Sequence, residues 1–268
     1  MSALTSTIIS ISIIFAGTTI GSAFVFLARK EVGNKASSII LGFAGGIMMA
    51  AAILGLIVPS INESSTPGGI YEKIRFIPPL VGFVAGGLLL WGLDKLTPHM
   101  HLVGGDQEGM ENKKISNEFK FFLAVTIHNI PEGLSVGFAA GLALANPDNN
   151  SYIFAVLALA IGIAIQNIPE GLAVSIPLYS KGMKKGKSFV YGLMSGVVEP
   201  IAAVIGLFIA SISKEITPWL LSFAGGAMIY VILDDLIPES RKKGFEHFAL
   251  WAFLIGFAIM MTLELVLG

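Results

Sequence analysis

The sequence alternates between long apolar stretches and short polar connections along its whole length. Eight stretches are each about as long as the roughly 20 residues that a helix needs to cross a membrane. They cover roughly residues 5–28, 36–59, 77–97, 119–145, 151–178, 187–211, 217–237 and 247–267. Because open strands would leave backbone groups without partners in lipid, we expect these stretches to be helices. The pattern predicts an all-α integral membrane bundle of eight transmembrane helices, with residues 1–268 as a single transmembrane domain.

The composition supports a membrane protein. Hydrophobic residues make up 54% of the chain and charged residues 13%, and the mean hydropathy is +0.79, whereas a soluble domain has about a quarter charged residues. The amino-terminal sequence MSALTSTIIS lacks the basic segment of a signal peptide, so we expect a retained helix and a multi-pass protein of the cell (inner) membrane. The chain contains no cysteine, which excludes disulfides and thiolate metal ligands. The net charge of −1 gives no reason to expect nucleic acid as a partner.

The basic residues indicate the orientation of the bundle. If the amino terminus lies outside, all but three of the 17 lysine and arginine residues fall on the inner side. The three exceptions are Lys73, Arg75 and Lys214. Because basic residues favour the cytoplasmic side, both termini are predicted to be extracytoplasmic. The connection at about residues 98–118, which contains histidine, is then cytoplasmic.

Glycines recur at a spacing of four residues within the apolar stretches, for example at Gly133, Gly137 and Gly141. Small residues at this spacing let the backbones of membrane helices approach closely. We therefore expect a tightly packed bundle.

One short motif occurs twice, near the middle of the fourth and the fifth stretch. HNIPEG begins at His128 and QNIPEG begins at Gln166. Residues four apart share a helix face, so His128 lies over Glu132 and Gln166 over Glu170. The asparagines at three residues from these glutamates can join the same face; they are Asn129 and Asn167. The motifs therefore place several polar groups at one depth in the membrane.

Each motif also contains a proline, Pro131 and Pro169. Proline inside a helix removes a backbone donor and bends the helix. In a membrane such a defect persists only where protein or water satisfies the freed carbonyl. We expect helices four and five to be kinked around a water-accessible cavity at the core of the bundle.

Three glutamates lie deep in predicted helices, at Glu132, Glu170 and Glu199. On insertion scales a charged residue at the centre of a membrane helix costs about 2.5–3.5 kcal/mol, so three isolated charges would cost roughly 7–10 kcal/mol. A divalent cation stabilises ionised carboxylates and binds neutral imidazole. The alternative, protonated or hydrogen-bonded packing residues, explains less well why so many polar groups share one depth. The pattern therefore favours a buried cation site.

The donor types narrow the choice of cation. Imidazole combined with carboxylates suits Zn²⁺, Fe²⁺ and Mn²⁺, whereas Mg²⁺ and Ca²⁺ prefer oxygen ligands alone. Met48, on a stripe of small residues in the second helix, is placed to aim a thioether at the site. A methionine at such a position is more often a packing residue.

Taken together, the motifs resemble those of the ZIP (Zrt/Irt-like) metal transporters, and specifically their bacterial GufA-like branch. The resemblance rests on HNIPEG and QNIPEG on consecutive helices, VEP in the next helix, DDLIPES in the seventh and PHMH in the inner connection. It covers the whole chain and implies import of divalent metal ions, Zn²⁺ first, with Cd²⁺, Fe²⁺, Mn²⁺ and Co²⁺ as further ions. It also implies a homodimer, and an elevator-like motion of helices one, four, five and six against the rest.

The resemblance further implies a metal centre at the membrane midplane, which is often binuclear in the family. One metal would be bound by Met48, His128, Glu132, Gln166 and Glu170, and a second by Asn129, Glu132, Asn167, Glu170 and Glu199. Many family members have histidine where this chain has Gln166, which leaves its metal preference open. An inner exit or loop metal site would involve Asp94, His99, His101, Asp234 and Asp235, for which solvated loop residues and helix caps are the alternative.

Two other classes of protein remain as alternatives at this point. An intramembrane metalloprotease of the zincin type needs HExxH, whereas His128 is followed by Asn129. A metal sensor would bind the ion without moving it. The chain has no Walker-type phosphate loop, so ATP-driven transport is not expected. We predict a transporter rather than an enzyme, with the metal as substrate and no catalytic cofactor.

Overall fold

The structure is a computed structural model that describes residues 1–28, 33–96, 99–100, 107–108, 117–241 and 244–267. Its long helices follow the predicted apolar stretches and are numbered here in chain order. They are α1 (Ala3–Phe26), α2 (Asn34–Ser64), α3 (Ile77–Leu96), α4 (Asn117–Ala145), α5 (Asn150–Ser180), α6 (Lys185–Ala210), α7 (Lys214–Arg241) and α8 (Glu246–Leu267). The largest difference from the predicted bounds is at the end of α2, which continues to Ser64.

Within the described part of the chain, seven of these helices are long and apolar enough to cross a membrane, and α4 is the exception. The HNIPEG motif lies inside α4, and its polar residues lower the mean hydropathy of a helix that has 29 residues. The prediction of a helical membrane bundle is confirmed at this level. One departure is a two-stranded antiparallel ribbon, His99–Met100 with Gln107–Glu108, inside the predicted inner connection. Short 3₁₀ segments occur at Phe24–Phe26, Glu72–Ile74 and Lys214–Ile216.

Helical geometry changes inside three of the helices. In α2 the segment Ala51–Ile57 is a π-helix, and in α7 the segment Ile232–Leu236 is another. Helix α6 consists of Lys185–Gly196 and Val198–Ala210, joined at Val197. Pro200, three residues later, has no N–H to donate to the preceding turn, which accounts for an interruption here.

The two motif prolines, unlike Pro200, do not coincide with an interruption of their helices. Pro131 is inside α4 and Pro169 is inside α5, and each helix is continuous through its proline. Changes of helix type are found in α2 and α7, which the sequence did not single out for this. Because π-helical turns leave the regular pattern of backbone hydrogen bonds, they often occur at functional sites.

Glycine mediates the closest helix contacts. Four pairs pack most extensively: α1 with α5, α2 with α8, α3 with α7, and α4 with α6. Gly137 of α4 lies against the carbonyl of Ala203 in α6, and Gly171 of α5 lies against the carbonyl of Thr18 in α1. A side chain at either glycine would collide with backbone of the partner helix. The close packing predicted from the glycine spacing is confirmed.

The pairs assemble into two halves, α1, α4, α5 and α6 on one side and α2, α3, α7 and α8 on the other. The main apolar core contains fully buried residues from both halves, including Ile47 in α2, Ile163 in α5 and Met228 in α7. Large apolar side chains also cover the outside of the bundle, for example Phe208 and Trp251, at 69% and 65% exposed. An outer surface this apolar fits contact with lipid.

Candidate metal centre

Helices α4 and α5 bring the two motifs into direct contact. The Gln166 Nε2 donates a hydrogen bond of 2.6 Å to Glu132 Oε1. Glu132 and Gln166 are fully buried, and the carboxyl groups of Glu132 and Glu170 lie close enough to interact directly. The sequence prediction that these residues share one site is consistent with this geometry.

The asparagines of both motifs meet at Glu199 of α6. Asn129 Nδ2 lies 3.1 Å from Glu199 Oε1, and Asn167 Nδ2 lies 2.8 Å from Glu199 Oε2. Thr18 Oγ1 of α1 donates a third hydrogen bond, of 2.6 Å, to Glu199 Oε1. All four side chains are fully buried. Four helices therefore meet at one carboxylate.

The most informative feature of the centre is a set of unpartnered oxygens. Within the centre, five buried side-chain oxygens have no hydrogen-bond donor among the described residues, although buried polar atoms normally have one. A few others lie elsewhere in the described residues, for example Glu264 Oε1. Those of the centre are Asn129 Oδ1, Glu132 Oε2, Gln166 Oε1, Asn167 Oδ1 and Glu170 Oε2. All of them belong to the two motifs. These buried oxygens accept no hydrogen bond, so their lone pairs are available to coordinate a cation.

His128 points toward the half of the bundle formed by α2, α3, α7 and α8. Its Nε2 lies 3.0 Å from Asp235 Oδ2, in the π-helical segment of α7. Asp94 of α3 also interacts electrostatically with His128, and Tyr230 hydrogen-bonds to both Asp94 and Asp234. Two of the residues predicted for an inner exit, Asp94 and Asp235, thus interact with the histidine of the metal centre, and Asp234 is connected to Asp94 through Tyr230.

The side chains are not arranged as a closed metal site in this conformation. Among the described residues, no group of three or more His, Asp or Glu side chains is placed to hold a metal ion. Two observations explain this result. Gln166 stands where a histidine would add a further metal-binding side chain, and the imidazole of His128 is paired with Asp235.

The remaining predicted residues differ in what the structure describes. Met48 is fully buried in the apolar core of α2, so its packing role is clear and a role as ligand stays a prediction. His99 lies in the short ribbon at the inner connection. His101 lies outside the described residues.

Two features of the polar interior were missed by the sequence analysis. Thr18 and Tyr230 lie in apolar helices without a motif around them, so no local signal marks them. On the predicted outer side, a cavity of about 490 Å³ is lined by residues that include Glu63, Tyr152 and Glu264. Tyr152 donates a hydrogen bond of 2.6 Å to Glu63, which lies near the end of α2.

Comparison with known proteins identifies the family. The profile of the ZIP zinc transporters matches residues 104–264. The chain is also 35% identical to the zinc transporter GufA of Myxococcus xanthus, over 95% of this chain and 97% of that protein. The chain belongs to the ZIP zinc transporter family. The resemblance inferred from the motifs is confirmed.

Other members of the ZIP family show similar agreement. The zinc transporter ZIP11 of Homo sapiens is 30% identical over 94% of both chains. The zinc transporter ZIPB of Bordetella bronchiseptica is 35% identical over 95% of this chain and 79% of that protein. These relatives are transporters, not enzymes, as predicted for this chain. With seven apolar helices in the part that the structure describes, the chain is a multi-pass membrane protein.

Proposed function

We propose that this protein carries Zn²⁺ into the cytoplasm through the centre between α4 and α5. The same centre would accept Cd²⁺, Fe²⁺, Mn²⁺ and Co²⁺ as alternative substrates. In this proposal residues 1–268 form one transport domain and both termini are extracytoplasmic. Helix α4 also crosses the membrane, which brings the number of spans to eight. The transported ion is bound by Met48, His128, Asn129, Glu132, Gln166, Asn167, Glu170 and Glu199. The homodimer that the family resemblance implies is part of the same proposal.

The observation that carries the proposal is the set of five buried, unpartnered oxygens in the two motifs. Burying a polar atom without a partner is unfavourable, so a helix bundle retains such atoms where they bind something. Carboxylate and amide oxygens beside one imidazole suit first-row divalent ions. Zn²⁺ is the first choice because the relatives are named zinc transporters.

The ion pair of His128 supports a route from this centre to the cytoplasm. The Nε2 of His128 lies 3.0 Å from Asp235 Oδ2, so the Asp235 carboxylate lies beside an ion bound at His128. A carboxylate attracts a divalent cation at this distance, so Asp235 offers a next position along the pathway. Asp94 and Asp234, joined by Tyr230, would continue the exit toward the predicted inner side.

Uptake by purified protein in liposomes tests the proposal. We expect ⁶⁵Zn²⁺ to accumulate with wild-type protein and uptake to fall by at least about tenfold with Glu132→Gln, since loss of even an outer-shell partner of a metal costs about 10–100-fold in affinity. Glu215→Gln, the same change at an exposed residue, is the matched control and should transport normally. Equal uptake by the Glu132→Gln and wild-type proteins would overturn the assignment of the centre.

The same experiment separates transport from sensing. A sensor would bind Zn²⁺ in calorimetry with wild-type protein and show no uptake into liposomes. The metalloprotease alternative receives no support from the relatives, which are transporters.

A further inference from the structure

We propose that a groove on the lipid-facing side of the bundle binds one phospholipid, with an acyl chain between the two halves and the phosphate near Lys214. The groove is a cavity of about 480 Å³, lined by eleven side chains that are all alanine, valine, leucine, isoleucine or phenylalanine. They come from α4 and α6 of one half and from α3 and α7 of the other. The inference uses the proposed crossing of α4 and does not involve the metal centre.

The groove opens toward the surroundings of the bundle rather than into its polar interior. Its rim includes Leu89 of α3 and Ile201 and Ile205 of α6, which are 44%, 54% and 50% exposed. Its floor includes the buried side chains of Phe138 in α4 and Ala202 in α6. An empty groove would forfeit van der Waals contacts, and water would find no polar partner on these walls. An acyl chain of the surrounding membrane is the occupant that fits this lining.

The length of the groove matches the depth of one membrane leaflet. On α4 the lining runs from Ile130, inside the HNIPEG motif, to Phe138, which is about 12 Å at 1.5 Å per residue. On α6 it runs from Val198 to Ile209, about 16 Å by the same rise. Half of a hydrocarbon core of about 30 Å is about 15 Å. The groove therefore extends from the predicted midplane toward the α6–α7 connection, on the predicted outer side.

A basic residue lies where the headgroup of such a lipid is expected. The Lys214 Nζ donates a hydrogen bond of 2.8 Å to the carbonyl of Ala145 at the end of α4, about 10 Å beyond Phe138 along the helix. Because an ammonium group has three donors, this hydrogen bond is compatible with a second one to a phosphate oxygen. The adjacent Glu215 lines a different cavity, together with Tyr71. An apolar groove that ends at an exposed cation fits an anionic phospholipid.

Native mass spectrometry of the purified protein with added dioleoyl phosphatidylglycerol tests the groove. Ile205→Trp fills the groove, whereas Val204→Trp enlarges the adjacent side chain, which is 42% exposed and does not line it. We expect wild type and Val204→Trp to retain one lipid. Ile205→Trp should bind it about tenfold more weakly, a typical effect of overpacking. Equal binding by the two variants would overturn the proposal, because the lipid would then bind elsewhere.

The headgroup contact is tested by Lys214→Gln, with Lys73→Gln as the control at another exposed lysine on the predicted outer side. We expect Lys214→Gln to weaken the binding of phosphatidylglycerol about fivefold, which is the contribution of one basic residue beside an anionic lipid. Lys73→Gln should bind like wild type. Equal binding by Lys214→Gln and wild type would overturn the assignment of the headgroup to Lys214.

Cryo-electron microscopy of the wild-type protein in phosphatidylglycerol nanodiscs gives a readout that requires no variant. The expected density is one acyl chain along the groove, with its headgroup near Lys214. A groove without density, or one covered by a second copy of this chain, would overturn the proposal. Neither result bears on metal uptake, which Glu132→Gln tests separately, so a failure of this inference is distinguishable from a failure of the proposed function.

Discussion

Gln166 is the residue in which the second motif differs from the first, and its side chain has two tasks. Its Nε2 donates to Glu132, and its Oε1 is one of the five unpartnered oxygens. A histidine at this position could donate through one nitrogen and bind the ion through the other. The present side chain instead contributes an oxygen, so the centre is richer in oxygen and poorer in nitrogen.

We predict that Gln166→His shifts the metal preference from Mn²⁺ toward Zn²⁺, because imidazole favours Zn²⁺ more than amide oxygen does. A gain of about 1.4 kcal/mol in the Zn²⁺ complex corresponds to tenfold in affinity, and we expect a change of roughly this size in the ratio of the two dissociation constants. Calorimetric titration of both ions measures it. Asn150→His adds an imidazole at an exposed residue outside the centre and should leave the ratio unaltered; an unaltered ratio in Gln166→His would contradict the prediction.

At the scale of residues, the sequence predicted the members of the site better than their partners. The repeated motif marks Asn129, Glu132 and Asn167 because polar residues are rare in apolar helices. Thr18 binds Glu199 across 181 residues of chain, and no local pattern encodes such a contact. The pairing of His128 with Asp235 likewise depends on how α4 packs against α7. Helix packing decides these contacts, and a single sequence does not give it.

At the scale of helices, the glycines that predicted close packing lie at the contacts between paired helices. Gly137 meets the backbone of α6 at Ala203, whereas Gly92 of α3 has no neighbour within 4 Å of the position where a side chain would begin. The spacing of glycines predicts that a face is close-packed. The identity of the partner helix is given by the structure alone.

We predict that Gly137→Ala destabilises the protein, because the new methyl group would collide with the carbonyl of Ala203. Overpacking of this kind costs about 1–3 kcal/mol. Gly92→Ala adds the same methyl group where space is open, so it should unfold at the same temperature as wild type or a higher one. Thermal unfolding of the purified proteins in detergent compares them. Equal unfolding temperatures for the two variants would show that the α4–α6 contact is less tight than the structure indicates.

The π-helical segments are the elements that the sequence could not predict. Ala51–Ile57 consists of small and aliphatic residues that an ordinary helix accepts equally well. The second segment, Ile232–Leu236, includes both Asp234 and Asp235, so its geometry sets where Asp235 meets His128. The segments lie in α2 and α7, which pack against each other. Their irregular backbone is therefore better explained by packing between the two helices than by local propensity.

At the scale of the whole molecule, many of the tightest glycine contacts within a half are with backbone. Gly46 of α2 lies against the backbone of Phe253 in α8, although other glycines, such as Gly141 and Gly192, meet side chains of their own half. Between the halves, glycines face side chains: Gly162 of α5 meets the sulfur of Met260, and Gly55 of α2 has a methyl group of Leu159 at 3.1 Å. Side chains can change rotamer where backbones cannot, so these two contacts between the halves are of a kind that can adjust.

The membrane topology allows a test that uses the absence of cysteine from the chain. If all eight helices cross the membrane with the termini outside, the connections alternate between the two faces. Asp148, between α4 and α5, then faces outward, whereas Gln107, before α4, and Gly186, at the start of α6, face inward. We predict that Asp148→Cys reacts in intact cells with a maleimide that cannot cross the membrane, and that Gln107→Cys and Gly186→Cys react only after the membrane is permeabilised.

Gln107 and Asp148 test α4, the helix whose hydropathy alone does not identify it as a membrane span. Gln107 and Asp148 are separated by α4 alone, so labelling them from opposite faces shows that α4 spans the membrane despite its polar motif. Burial of the motif against α5 and α6, rather than exposure to lipid, makes this crossing favourable. The unmodified chain, which has no thiol, provides the background. Labelling of Gln107→Cys in intact cells would place the α3–α4 connection outside, and the orientation inferred from the basic residues would be wrong.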